Sequence, residues 1–290
     1  MAFNLGFIGG GNMSTAIMNG ILNKDGHPAS KIWVSGPHLE NLKYWQEKGA
    51  NITIKNGEVY SECDYVFLGV KPALLEKSLQ ETVETIPRTA TSRSVLIISM
   101  LAGIKIERLQ MVMNMHKLLN NSKVARIMPN VPMAVGSGAC LFTCGDNVSE
   151  EQKEKLSKLL KCCGHCEEIP EALMNNLGVL TACGPAYIFV IIEALADGAV
   201  KQGVPRDLAL RFAAQMVMGS AHLVFDSKKH PGQLKDEVCS PGGSTICGIS
   251  VLEDGKIRST LINAIEASVN KTKSFEMSSS FVIPSGCSHK

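Results

Sequence analysis

A glycine-rich turn near the start of the chain most constrains how it can fold. Residues 3–8 form a short apolar run, residues 9–14 read Gly-Gly-Gly-Asn-Met-Ser, and apolar residues then recur at helical spacing. Strand, glycine turn and helix in this order make up the dinucleotide fingerprint, whose glycines allow a tight turn and let a pyrophosphate approach the backbone. Gly9 and Gly11 occupy the first two glycine positions, and Ser14 stands at the third. The segment therefore predicts a dinucleotide-binding strand–turn–helix unit.

The size and charge of the chain favour two domains and a small-molecule partner. Its 290 residues are enough for two cores, and a formal net charge of +2 gives no reason to expect nucleic acid or an anionic membrane. No targeting pattern precedes the first apolar run, so we expect a cytoplasmic protein. The most apolar stretch, residues 185–200, contains Glu193 and Asp197 and is predicted to be a buried helix rather than a membrane span.

Ten cysteines raise the question of disulfide bonds or bound metal. We expect reduced thiols, because the chain is large and no secretion signal is visible. Cys163 and Cys166 form a C-x-x-C motif, but it follows the helix pattern of residues 150–160, whereas reactive motifs of this kind lie at a helix N-terminus. Together with Cys140 and Cys144 the motif has the donor set of a zinc site. We favour buried, unreactive thiols and no metal site, with zinc binding and redox exchange as the alternatives.

Apolar runs alternate with helical patterns up to Pro170, and this alternation predicts a doubly wound parallel sheet of the Rossmann type. The predicted strands are residues 3–8, 32–34, 52–54, 65–68, 95–98, 124–127, 139–142 and 166–169. After Pro170 only helical patterns remain, and Gly184-Pro185 is expected to separate two of them. The fold class is therefore α/β, with an all-α domain at the C-terminus.

Three segments are expected along the chain. They are a Rossmann domain at residues 1–170, an all-helical domain at residues 171–275, and a Ser-rich, disordered tail at residues 276–290. The helices of the second segment are rich in apolar residues and need another apolar surface, for which we expect a partner subunit.

Two loops after predicted strands bear on the choice of cofactor. An NAD site usually has Asp or Glu about 20 residues beyond the fingerprint, on the ribose 2′-hydroxyl. Here the stretch reads Ser-Gly-Pro-His from Ser35, and without a carboxylate there is no repulsion of a 2′-phosphate, to which Ser35 can donate. No Arg is present, so the predicted preference for NADPH over NADH is moderate. The loop of Val70, Lys71 and Pro72 is expected along the nicotinamide half, although Lys71 also fits a solvated helix start.

A second anion site is predicted in the C-terminal half. Residues 239–245 read Cys-Ser-Pro-Gly-Gly-Ser-Thr and precede a helix pattern. The glycines expose backbone N–H groups, and Ser244 and Thr245 add hydroxyls at the helix start, which suits a carboxylate. A flexible N-cap without a ligand is the alternative. No hydrolytic triad or paired carboxylates stand out, so the two sites together indicate hydride transfer to a small acid.

At this point the chain resembles the pyrroline-5-carboxylate reductase family, from Gly6 to about Lys273. The segment 231–253 satisfies the family's signature, and further landmarks follow in the right order. These are Phe7–Met13, Val70-Lys71-Pro72, Ala102-Gly103, Arg126–Asn130 and Gly184–Tyr187. The resemblance implies reduction of the cyclic imine 1-pyrroline-5-carboxylate to L-proline with NADPH, NADH remaining possible as cofactor. It also implies a homodimer through the C-terminal helices, with assembly into decamers left open.

The resemblance further implies which residues bind each ligand. The cofactor residues are Gly9, Gly10, Gly11, Asn12, Met13, Ser35, Pro37, Asn56, Val70, Lys71, Pro72, Ala102 and Gly103. The substrate residues are Glu171 at the mouth of the site, Gly243, Ser244 and Thr245, of which Thr245 is also the catalytic candidate. Its hydroxyl is expected to reach the ring nitrogen of the imine while the helix end holds the carboxylate.

Some positions depart from the family pattern. Thr181-Ala182-Cys183 replaces a Ser-Gly-Ser stretch, Asn175 and Gly178 stand where Asp and Thr are common, and Lys228 stands where some relatives have an acid. These departures keep open an imine reductase of other specificity and a non-catalytic NADPH-binding scaffold. A β-hydroxyacid dehydrogenase shares the two-domain plan but places a catalytic Lys after the Gly-rich helix start, and residues 187–192 contain none.

Overall fold

The alternating apolar runs form one eight-stranded sheet in the computed structural model, which describes residues 3–88, 94–117 and 122–278. The strands are β1 (Leu5–Ile8), β2 (Ile32–Ser35), β3 (Asn51–Thr53), β4 (Tyr65–Leu68), β5 (Val95–Ser99), β6 (Ser122–Met128), β7 (Gly138–Cys144) and β8 (Gly164–Glu168). Their order is β3-β2-β1-β4-β5-β6-β7-β8, and every neighbouring pair is parallel except β6 with β7. The predicted doubly wound sheet is confirmed. The antiparallel pair was not predicted, and it arises because residues 129–137 are too few for a helical crossover.

Helices and buried side chains cover both faces of this sheet. The helices are α1 (Asn12–Asn23), α2 (Lys43–Glu47), α3 (Asn56–Glu62), α4 (Leu75–Glu84), α5 (Ile106–Met115) and α6 (Glu150–Lys161). One buried cluster contains Phe7 and Phe67, whose rings stack with centroids 4.9 Å apart, and the other contains Ile8 and Val66. Successive residues of a strand face opposite sides, so β1 and β4 supply both clusters and read as continuous apolar runs.

The C-terminal half is helical, as predicted, but its first helix is longer than expected. The helices are α7 (Met174–Lys201), α8 (Arg206–Ser227), α9 (Pro231–Val238), α10 (Ser244–Asp254) and α11 (Ile257–Ser278). The break expected at Gly184-Pro185 was wrong, because Pro185 lies inside α7. Pro185 has no N–H group, so the carbonyl of Thr181, four residues earlier, lacks the donor that it would have in a regular helix. The side chain of Asn130 supplies a replacement, since its Nδ2 donates to that oxygen at 3.1 Å.

By its internal contacts the chain divides into two units, Met1–Cys183 with Val269–Lys290, and Gly184–Ser268. This division falls inside α7, and the predicted domain limits at residues 1–170 and 171–275 stay predictions. Helix α11 continues to Ser278, three residues into the segment for which disorder was expected, and the rest of that segment lies outside the described residues.

The unit Gly184–Ser268 buries few large side chains. Its buried cluster consists of Ala196, Ala209 and Ala213, whereas Phe212 and Phe225 are 68% and 73% exposed. The segment Glu171–Lys201 and helix α8 are also long and apolar enough, by length and composition alone, to cross a membrane. Exposed apolar surface on this scale marks a binding face.

The C-x-x-C motif follows the end of α6, as predicted. Cys163 and Cys166 are buried, free thiols. Cys166 lies opposite Cys140 in the register of the parallel strands β7 and β8. Burial raises the pKa of the Cys163 thiol to about 12, which disfavours the nucleophilic thiolate. Among the residues described, no group of three or more His, Cys, Asp or Glu side chains is placed to hold a metal ion.

We expect the stability of the fold to decrease as the pH falls from about 6.5 to about 4. His27 is buried against the ring of Phe3, and burial lowers its pKa from 6.5 to about 4. In this interval the unfolded chain binds a proton that the folded chain does not, so protonation favours unfolding. At about 1.4 kcal/mol per pKa unit the full loss amounts to about 3–4 kcal/mol, of which about 2–3 kcal/mol falls between pH 7 and pH 4.5. Urea midpoints at pH 7 and pH 4.5 measure it.

His27→Phe is the matched control for this titration. The ring keeps the stacking position but cannot bind a proton, so the difference between the two midpoints is expected to shrink. Equal pH dependence in the two proteins would assign the titration to other groups.

Candidate functional site

The glycine turn between β1 and α1 has the conformation that a pyrophosphate site requires. Gly9 has a φ of +98°, and a Cβ atom there would lie 2.9 Å from the carbonyl oxygen of Gly69. Its N–H donates to the carbonyl of Ser35 at 3.0 Å, which joins the turn to the end of β2. The first glycine of the fingerprint is thus needed for both backbone conformation and space.

Gly11 is unconstrained by packing. No atom lies within 4 Å of the position that a Cβ atom would take there. Gly11 is the N-cap of α1 but has no side chain to bind the N–H groups of the first turn, which remain directed beyond the helix. Free N–H groups at a helix start attract an anion, and the absence of a side chain at Gly11 leaves them accessible to one.

Ser14 explains how the chain tolerates a departure at the third fingerprint position. Its side chain is buried, and its hydroxyl donates to the carbonyl of Gly9 at 2.6 Å. A Cβ atom at Gly69 would lie only 2.2 Å from this hydroxyl oxygen. In the fingerprint, a small third residue lets the helix pack closely against the strand. Here Ser14 stands at that position, and the absence of a side chain at Gly69 leaves room for its hydroxyl.

The side chain of Ser35 has a partner within the protein. Its buried hydroxyl donates to Oδ1 of Asn56 at 2.6 Å, and its expected role beside the cofactor stays a prediction. Nδ2 of Asn56 lies 3.3 Å from the hydroxyl oxygen of Ser78 on α4. The three side chains connect the end of β2 with α3 and α4.

These groups border a cavity of about 210 Å³ beside the glycine turn. It is lined by Gly9, Ser35, Gly36, Pro37, Asn56, Val70, Leu74, Lys77, Ser78 and Glu81. Five of them, Gly9, Ser35, Pro37, Asn56 and Val70, were predicted from the sequence. The four residues from α4 and the turn before it were missed, because only the tertiary fold brings this helix to the cavity.

The remaining predicted cofactor residues occupy neighbouring loops. Gly10, Asn12 and Met13 belong to the turn and the start of α1, and Lys71 and Pro72 begin the turn that follows β4. Ala102 and Gly103 come after β5. All these loops leave the carboxyl ends of adjacent parallel strands, which is where ligands bind in open α/β sheets.

Glu171, expected at the mouth of the substrate site, has a partner within the protein. Its Oε1 lies 2.8 Å from Nη1 of Arg126, a fully buried residue of β6, and accepts from the N–H of Ile106 at 3.4 Å. Nη2 of Arg126 donates to Oδ1 of Asn175 at 2.9 Å. The carboxylate of Glu171 thus neutralises a buried guanidinium, and its expected place at the mouth of the substrate site stays a prediction.

The second predicted anion site forms a turn before α10. Gly242 has a φ of +67°, and the N–H of Gly243 donates to the carbonyl of Ser240 at 3.0 Å. Gly243 is the N-cap, so the helix begins at Ser244. No side chain caps the first turn and no acidic residue lies in it, which leaves its N–H groups and the hydroxyls of Ser244 and Thr245 for a ligand.

Comparison with known proteins identifies the family. Residues 171–275 match the model described as pyrroline-5-carboxylate reductase dimerisation, and residues 4–103 match NADP oxidoreductase, coenzyme F420-dependent. Pyrroline-5-carboxylate reductase 3 of Danio rerio is 40% identical over 93% of this chain and 90% of its own length. The chain belongs to the pyrroline-5-carboxylate reductase family. The Arabidopsis thaliana member is 36% identical, over 96% of this chain and 97% of its own.

Solved structures of the family have the same fold. The Plasmodium falciparum pyrroline carboxylate reductase with NADP bound has a TM-score of 0.83 and 30% identity, covering 95% of this chain and 98% of its own. The Streptococcus pyogenes reductase has a TM-score of 0.78 and 31% identity, covering 94% and 98%. The family's dimerisation match contains the apolar helices α7 to α10 and most of α11.

We expect Glu171→Ala to lower the free energy of unfolding by about 2–4 kcal/mol, because it leaves the guanidinium of Arg126 buried without its carboxylate. Urea unfolding followed by tryptophan fluorescence measures the change. Glu151→Ala is the control, since it removes an exposed pair with Lys155 and should change stability little. The double variant Arg126→Met, Glu171→Leu should recover part of the loss; no recovery would contradict a buried-charge penalty.

Proposed function

We propose that this chain reduces 1-pyrroline-5-carboxylate to L-proline with NADPH. The observation that carries the proposal is the presence of two glycine-capped helix starts, at Gly11 and at Gly243, in a chain of the pyrroline-5-carboxylate reductase family. Reduced nicotinamide supplies a hydride for the imine carbon, and a proton completes the amine nitrogen. The relative from Plasmodium falciparum was solved with NADP bound.

The cofactor is held by loops at one edge of the sheet. The N–H groups of Gly11, Asn12 and Met13 bind the pyrophosphate, with Gly9 and Gly10 shaping the turn. Pro37 and Asn56 border the cavity for the adenosine half, and Ser35 positions Asn56. The nicotinamide half follows the loops after β4 and β5, which contain Val70, Lys71, Pro72, Ala102 and Gly103.

The substrate carboxylate binds at the start of α10. The N–H groups of Gly243, Ser244 and Thr245 and the hydroxyl of Ser244 face an anion there, and the hydroxyl of Thr245 reaches the imine nitrogen. Protonated cyclic imines accept hydride readily, so the protein contributes mainly orientation. Positioning alone can lower such a barrier by several kcal/mol, up to about 7 or more.

The working form is a homodimer built on the C-terminal helices, since their exposed apolar side chains require a cover and the region matches a dimerisation family. A partner subunit accounts for the two helices that are apolar enough for a membrane span. We place the enzyme in the cytoplasm, without nucleic acid or membrane partners, in keeping with the net charge of +2. Light scattering separates a dimer from a decamer.

Thr245→Ala is expected to lower kcat/KM for pyrroline-5-carboxylate about 10- to 100-fold, because a hydrogen bond to a charged group is lost. Affinity for NADPH should stay within about twofold, since this interaction does not involve the cofactor. Cofactor absorbance measures turnover, and fluorescence titration measures binding.

Thr245→Ser should retain activity, and Ser250→Ala, on the same helix, is the matched control. An unchanged kcat/KM would remove Thr245 from the site; wild-type protein that binds NADPH without turnover would favour a scaffold.

A further inference from the structure

Helix α4 contributes an unassigned pair of charges to the cavity beside the glycine turn. Lys77 and Glu81 lie one turn apart on α4, and both line the cavity together with Ser35, Gly36 and Pro37. Among the residues that line it, Lys77 carries the one positive charge and Glu81 the one negative charge. Within the described part of the chain, neither side chain forms an ion pair, so both charges remain available to a ligand in the cavity.

The loop after β2 lacks the groups that would recognise a 2′-phosphate. In dinucleotide-binding sheets this loop lies against the adenosine ribose, where Asp or Glu selects the 2′-hydroxyl and Arg selects the phosphate. Here the loop has neither, and the hydroxyl of Ser35 donates to Asn56 at 2.6 Å inside the protein. Of the residues that line the cavity, Lys77 on α4 is the cation that can face a phosphate at this loop.

We propose that Lys77 is the specificity-determining residue that binds the 2′-phosphate of NADPH. This inference rests on the proposed function only in taking the cavity as the adenosine site. The flexible stem of Lys77 allows its ammonium group to reach a phosphate at the loop after β2, and the resulting charge-assisted hydrogen bonds are absent with NADH. Lys77 acts as a point charge, so it needs no fixed geometry before the cofactor binds.

Glu81 acts in the opposite direction. Its half-buried carboxylate lines the same cavity and repels a phosphate dianion while leaving a 2′-hydroxyl unaffected. The balance between Lys77 and Glu81 thus sets how strongly the enzyme prefers NADPH. Two substitutions on one helix face should consequently shift cofactor preference in opposite directions.

Binding measurements on the full-length protein test the pair directly. Calorimetric titration with adenosine 2′,5′-bisphosphate and with adenosine 5′-monophosphate isolates the 2′-phosphate contribution from hydride transfer. We expect Lys77→Met to weaken the bisphosphate about tenfold and the monophosphate less than about twofold. Lys77→Arg should retain the affinity, and Glu81→Gln should tighten the bisphosphate selectively. Lys158→Met, on α6 and outside this cavity, is the matched control.

The outcomes distinguish this inference from the proposed function. Equal weakening of both nucleotides by Lys77→Met, or no weakening of the bisphosphate, overturns the role of Lys77. A selective loss supports it even where pyrroline-5-carboxylate is not turned over, because nucleotide binding is measured without substrate. Failure of the wild-type protein to turn over that substrate counts against the proposed function alone.

Discussion

A buried guanidinium on β6 anchors the helix with which the C-terminal half begins. Arg126 is fully buried, and its contacts with Glu171 and Asn175 fix the residues at the start of α7. The cost of burying this charge is offset only while the carboxylate and amide stay in place. The first turns of α7 are therefore tied to the sheet by electrostatics as well as by apolar packing.

Local patterns in the sequence were enough to predict the sheet, the glycine turn and the turn before α10. In each case the required residues are contiguous, so spacing alone indicates the backbone conformation and the free N–H groups. The correct family followed from the same contiguous segments. What the sequence did not indicate depends on pairs that are distant along the chain, such as Ser35 with Asn56 and Glu171 with Arg126. In both pairs, a side chain expected to meet a ligand is bound by the protein itself.

The two candidate anion sites share one physical design. Each is a helix start whose N-cap is glycine, so the protein leaves its own N–H groups without a side-chain acceptor. By contrast, Ser149 caps α6 through a complete capping box, and that helix start has no ligand assigned to it. Several other helices, among them α4 and α8, also lack a side-chain cap, but their N-caps are Leu74 and Pro205. The two candidate anion sites differ from these in having glycine at the N-cap, which lets a ligand approach the backbone.

The hydrogen bond from Asn130 to Thr181 has a consequence for the order in which the chain acquires structure. The middle of α7 contains a proline, and the carbonyl that this proline leaves unpaired is satisfied by a side chain from the loop between β6 and β7. An isolated α7 segment would have only water for that oxygen. We therefore expect the helical turn that Pro185 interrupts to be most stable once β6 and β7 have paired, because their pairing holds the loop that supplies Asn130.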